Sequence, residues 1–281
     1  MADSPGRSVA PSTRPVSTWR MLATLYGSRI RSQASYRASL AADIGAQVLM
    51  IGAEIVELWA ILWRAGSLGG MTFAQVLLVY GLAALAFGIA DLLLGEIDAV
   101  AQYVRSGRIE TLLIRPVPLL VQVSSLDLSL KRLGRVGTGL VLYVAGLAVN
   151  GVALTPAHAL LAVVAPLAGA AIMSAVLVMA GALQFWLVDG REFTNAFVYG
   201  GNYVASNPGS VLMLPLRAFF TFVVPATLIA YAPALVLLDL PGPALIPQWA
   251  GWLGAPMALV AWALALILWR AGVRRYTGAG G

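Results

Sequence analysis

The side chains able to do chemistry in this chain are few, and their scarcity excludes most of it. There is no cysteine and a single histidine, His158. That rules out thiolate nucleophiles, disulfides and thiolate metal sites, and leaves no second imidazole for a zinc pair. His158 sits beside Pro156 and reads as an interfacial residue. Its distance in sequence from any Ser/Asp pair argues against a hydrolase triad. Lys131 is the only lysine and is followed by Arg132, so the chain has no G-x-x-x-x-G-K-[ST] loop to hold a nucleotide phosphate. No catalytic residue, metal ligand or directly bound cofactor is expected.

Two groups of polar residues stand out against this background. The first is Glu54 and Glu57, with Asp43 upstream, inside an otherwise apolar run. An acid at the centre of a spanning helix costs about 2.5–3.5 kcal/mol, so such groups face a bundle interior or a wet cavity. Three residues apart, Glu54 and Glu57 share one helix face, and Arg64 lies on the same side, within reach of Glu57. Two roles fit: contact with a cation or polar substrate in a translocation path, or a hydrogen-bonded site at a subunit interface.

The second group lies in Val104–Pro118, VRSGRIETLLIRPVP, the densest charge between two apolar regions. Ser106 is a candidate helix cap, and Arg115 before Pro116 a stop. The helix between, Gly107–Arg115, would place Arg108, Thr111 and Arg115 on one face and Ile109, Leu112 and Leu113 on the neighbouring arc. Its apolar arc would lie on the membrane domain and its basic arc would face a partner.

These residues must be positioned by membrane helices. The 281 residues are 60% hydrophobic and 11% charged, with mean hydropathy +0.85, against roughly a quarter charged in soluble domains. The fold expected is all-α, a polytopic membrane protein. Hydropathy places six spans near 41–63, 72–94, 134–154, 158–188, 211–238 and 249–271, each close to the roughly 20 residues that cross a bilayer. Pro166, Pro215, Pro225 and Pro233 should kink or break the fourth and fifth, and Pro225–Leu240 reads as a half-inserted hairpin on the outer side. Thr18–Ile30 and Leu119–Leu130 read as interfacial helices. Phe185–Pro208 reads as an internal loop whose short helix, carrying Phe193, Ala196 and Phe197, ends at Gly200-Gly201. Asp91, Glu96 and Asp98 should close the second span as solvated carboxylates. The domain plan is a cytoplasmic tail and interfacial helix (1–38), one six-span domain (39–273) and a cytoplasmic tail (274–281).

Orientation follows from the basic residues. With the amino terminus inside, seventeen fall in internal segments, Arg217 among them, and only Arg64 falls outside. Both termini should face the cytosol. The basic pI of about 10.0 is then a property of these loops and gives no reason to expect nucleic-acid binding.

The run G-R-I-E-T-L-L-I-R-P-V-P resembles the cytoplasmic loop between the second and third spans of type-2 ABC transporter permeases. More narrowly it is similar to a bacterial exporter-permease subfamily reading R-x-G-x-[IL]-[DE]-x-L-L-x-R-P. Two further blocks carry the same resemblance: Phe185, Trp186, Asp189, Glu192 and Asn195, and Leu216–Ala226 with Ala232–Ala234. The resemblance implies that the loop is a coupling helix docking into an ATP-binding subunit through Arg105, Gly107, Arg108, Glu110, Thr111, Arg115 and Pro116. It implies ATP and Mg on that partner, an exporter in a bacterial inner membrane, and a second permease, either a copy of this chain or an unlike chain, with the unlike chain favoured. The competing class is an ion-coupled secondary transporter using Glu54 or Glu57, for which inverted repeats are not apparent. The sequence does not name the substrate.

Overall fold

The computed structural model describes residues 37–126, 131–187 and 190–276. The expected interfacial helix Thr18–Ile30 and the end of Leu119–Leu130 lie outside these residues. Among those described the fold is all-α. The helices are α1 (Arg37–Ala65), α2 (Phe73–Leu94), the short α3 (Val100–Arg105), α4 (Arg108–Leu113) and α5 (Leu119–Ser124), then α6 (Lys131–Val149), α7 (Pro156–Leu183), α8 (Gly190–Ala205), α9 (Leu214–Phe222), α10 (Tyr231–Leu237) and α11 (Gly254–Arg275). Call the end carrying α3–α5 and Arg274 the basic end, and the end carrying residues 66–72 the far end.

The centre is a sandwich of α2 and α7, with α6 packed on α2 and α11 on α7. Thr72 starts α2 with a capping box closed by Gln75, which fixes its first turn. Close approach of α2 and α6 depends on glycine. A Cβ at Gly81 would stand 2.6 Å from the Tyr143 backbone nitrogen, and one at Gly139 2.6 Å from that of Leu85. Small residues let helix backbones meet where lipid offers no hydrophobic drive. The outward faces of α6 and α11 are apolar, with Val141, Leu259 and Ile267 exposed, as lipid-facing helices require. By contrast α1 packs against little of its own chain: its most apolar window is 11% buried, against 67% for α2 and α7.

Pro166 does not break the fourth span; α7 runs through it unbroken from Pro156 to Leu183. A proline at 166 cannot donate to the carbonyl of Ala162. The Tyr143 hydroxyl of α6 donates to that carbonyl at 3.0 Å instead, so the freed acceptor is satisfied by a neighbour.

Residues 185–208 are not an internal loop. α8 starts at the basic end, where the Thr194 hydroxyl donates to the Ala180 carbonyl near the end of α7. It leads to the far end, where the Ser210 hydroxyl donates to the Gly69 carbonyl at 2.7 Å. α8 therefore runs the height of the bundle. Gly200-Gly201 sit inside it, and it ends at Ala205, ahead of Pro208.

Residues 211–238, in turn, do not form a straight fifth span. α9 and the stretch Ala226–Leu237 are bent by 71°, with Pro225 at the break. The whole segment begins at Val211, beside Gly69, and ends where Asp239 lies 3.8 Å from His158, at the start of α7. Both ends are therefore at the far end, and the pair is a re-entrant hairpin, longer than the one expected. Arg217 anchors it by donating to the carbonyls of Gly209, Ser210, Leu212 and Ala244 at 2.9–3.3 Å. Placing Arg217 at the far end changes the basic count from seventeen against one to sixteen against two (17 − 1 and 1 + 1). The asymmetry survives.

Candidate functional site

At the basic end, α3, α4 and α5 fold into a compact loop. Gly107 adopts a left-handed conformation, φ 66°, and caps α4, a backbone state that a side chain disfavours. Ser106 is not the cap; its hydroxyl turns back to the Tyr103 carbonyl. α4 is six residues, shorter than expected, with Arg115 and Pro116 beyond its end. Ile109 and Leu112 are fully buried against Ile97, Val100 and Trp269, each contributing about 1.5–3 kcal/mol of burial. Gln122 ties the loop down through the Leu112 and Val117 carbonyls at 2.9 and 2.7 Å.

The outer surface carries Arg105, Arg108, Glu110, Thr111, Arg115 and Pro116, all exposed. Leu113 was expected to face the membrane domain, but it is 43% exposed, and Ile114 beside it is 86% exposed. The Thr111 hydroxyl donates to the Arg108 carbonyl. Tyr276, just past α11, donates to Glu110 at 3.4 Å. Burial, and then the neighbouring Glu110 carboxylate, hold its phenol pKa above the ordinary 10.0.

Behind the loop lies a charge network that was not anticipated. Asp91 and Glu96 are not solvated: their side chains are 12% and 11% exposed. Arg135 holds Asp91 at 2.7 Å, and Arg132 lies 3.6 Å from Asp91 and 3.8 Å from Glu96. The Tyr103 hydroxyl donates to Glu96, and Arg108 of α4 lies over the Tyr103 ring, 5.4 Å from its centroid. At the other end, Arg135 lies over the Phe87 ring at 5.2 Å. A continuous series of polar contacts thus joins α4 to the middle of α2. Gln184, 2% exposed, makes a second junction, accepting from the Ala101 backbone at 2.6 Å and donating to Thr194 at 2.8 Å. The lone Lys/Arg cluster and the isolated glutamine gave no spacing signal, because partners so far apart in sequence meet only in the fold. The residues of the Phe185 block do not form one site: Phe185 packs edge-on against Trp269 and Tyr276, Glu192 is exposed, and Asp189 and the Asn195 side chain lie outside the described residues.

Glu54 and Glu57 open onto a cleft between α1, α2 and α8. Two adjoining cavities of about 360 and 250 Å³ share Glu54, Tyr80, Tyr199, Asn202 and Ser206 as lining. The Tyr80 hydroxyl donates to Glu54. Glu57 and Arg64 line a shallow groove together, and no ion pair joins them among the described residues. The Asp43 side chain lies outside those residues. Arg135 and Phe87 line the inner part of the cleft, so the charge network ends at its wall. Tyr199 and Asn202 escape notice in the sequence because α8 does not read as a span.

The sequence model of a family described as "ABC-2 family transporter protein" matches residues 48–280. Comparisons with curated proteins and with solved structures give no match.

Proposed function

Because the chain belongs to the ABC-2 family of transporter proteins, it is a multi-pass membrane permease of an ABC transporter and not itself the ATPase. We propose that it is the membrane subunit of a bacterial exporter, driven by separate ATP-binding subunits that carry the ATP and Mg. The basic end faces the cytosol, with both termini, in the inner membrane, in keeping with the sixteen-to-two distribution of basic residues. α4 is the coupling helix, and Arg105, Gly107, Arg108, Glu110, Thr111, Arg115 and Pro116 form the docking face. The observation that carries this reading is the division of the loop: Ile109 and Leu112 are locked into the core while Arg108, Ile114 and Arg115 are presented outward. A rigidly anchored segment with a basic, forked surface can receive a push and pass it inward.

A second permease, an unlike chain, completes the pathway against α1. The thin packing of α1 supports this, since a spanning helix bearing Glu54 and Glu57 and so little covered by its own chain needs another protein surface. In this reading Glu54 and Glu57 line the translocation path.

The test is co-purification. Arg108→Glu with Arg115→Glu should release the ATP-binding subunit from the membrane complex while insertion stays normal. Single Arg→Ala changes should be mild, since an exposed pair contributes about 0–1 kcal/mol, whereas reversal adds repulsion. A double reversal that keeps the full complex and its ATP turnover rules out α4 as the coupling helix.

A further inference from the structure

We propose that the cleft between α1, α2 and α8 recognises an amine or guanidine cation with an apolar body, through the N–H donors of the cation. The proposal rests on the permease reading and adds to it a substrate class.

Three features of the cleft point this way. The first is sign. Glu54 and Glu57 bring two negative charges to the lining. Among the described residues that line it, the only cationic side chain, Arg135, is already held by Asp91 at 2.7 Å and by the Phe87 ring. An anion entering here meets repulsion, and a cation meets a charge that is not neutralised locally.

The second feature is an excess of acceptors. Glu54 receives the Tyr80 hydroxyl on one oxygen, and Glu57 has no hydrogen-bond or ion-pair partner among the described residues. Gln47 and Asn202, both in the wall, carry buried amide oxygens without partners among the described residues. Buried acceptors without donors are costly, and charge-assisted N–H bonds to carboxylates are the strongest way to satisfy such a wall. A quaternary ammonium supplies the charge but no donor. An amine or guanidine supplies both.

The third is the aromatic lining. Tyr199 and Tyr203 are 50% and 72% exposed beside the acids. Their rings offer an apolar surface for the body of the ligand and a face that attracts its charge.

The full chain in nanodiscs of zwitterionic lipid provides the test, with binding measured by equilibrium dialysis. The probes are phenethylamine, phenethylguanidine, trimethylphenethylammonium and 3-phenylpropionate, which share one aromatic body. The first two should bind, the quaternary probe on the order of ten-fold more weakly, the usual consequence of one unmade buried bond, and the carboxylate not measurably. Glu54→Gln with Glu57→Gln should abolish the preference for the amine, and Asp239→Asn, an acid at the far end, should leave it intact. A quaternary probe that binds as tightly as the amine overturns the proposal, as does binding of the carboxylate. Absence of binding by any probe to a monodisperse chain also overturns it and assigns the acids to subunit contact. These outcomes are independent of the coupling-helix test: release of the ATP-binding subunit leaves cation binding unaffected, and loss of cation selectivity leaves the complex intact.

Discussion

The guanidinium of Arg135 holds the Asp91 carboxylate at 2.7 Å while lying over the Phe87 ring. One cation thus links α6 to α2 at the base of the cleft, through a bond to a carboxylate that is largely removed from solvent.

Removing one partner of this pair should be costly. Asp91→Ala leaves Arg132 and Arg135 without their shared anion and should destabilise the fold by about 3–5 kcal/mol, the usual penalty for an uncompensated buried charge. Asp91→Leu combined with Arg135→Met removes both charges and should recover most of that loss. Thermal unfolding in detergent, followed for both variants, decides it. Equal melting of Asp91→Ala and the unaltered chain would show that the pair contributes nothing.

The course of α8 gives a topology test. Val211 is 49% exposed and adjoins Ser210, whose hydroxyl bonds to Gly69. Val211→Cys should therefore react with an impermeant maleimide in intact cells in the same way as Ser67→Cys and Pro243→Cys. Thr277→Cys should be protected until the membrane is opened. Protection of Val211→Cys alongside labelled Ser67→Cys would return residues 185–208 to an internal loop.

Glycine at the α2–α6 contact should not tolerate a branched side chain. A Cβ at Gly81 would meet the Tyr143 backbone at 2.6 Å, so Gly81→Val must push the helices apart and should cost about 1–3 kcal/mol by overpacking. Gly137 has open space around it, and Gly137→Ala should leave the melting temperature unchanged or raise it. Reversal of that order would contradict the packing described.

Ile114 is the most exposed large apolar residue of the loop formed by α3–α5, the proposed coupling segment, at 86%. Ile114→Ser should leave the isolated subunit as stable as before, because the side chain touches little of its own chain. It should weaken association with the ATP-binding subunit, since buried apolar anchors dominate such contacts. A fall in the subunit's own melting temperature, with association unchanged, would place Ile114 in the fold and not in the interface.

Five of the six spans are legible in the sequence because long apolar runs have one physical solution in a bilayer. The second came nearly to the residue, since Thr72 and Gln75 form a local cap that needs nothing from the rest of the chain. α8 does not read as a span because Thr194 and Asn202, among its polar residues, lower its hydropathy. They are tolerated there because they face Gln184 and the cleft and not lipid, which a window average cannot register. The apolar run after it then reads as the fifth span, although Pro215 and Pro225 divide it into pieces too short to cross. Asp91 illustrates the same limit for sites. Its position at a helix end suggested solvent, and only the approach of Arg132 and Arg135, more than forty residues later, makes it a buried ion pair.

The thin packing of α1 also bears on how the cell controls the number of copies. If a second permease covers α1, as proposed, a subunit made without it leaves open the cleft that Glu54 and Glu57 line, on a helix that its own bundle barely holds. Such a helix is the kind of segment that membrane proteases can extract and degrade. Excess subunits should therefore be short-lived, and the steady-state amount of this chain should follow the synthesis of its partner and not its own.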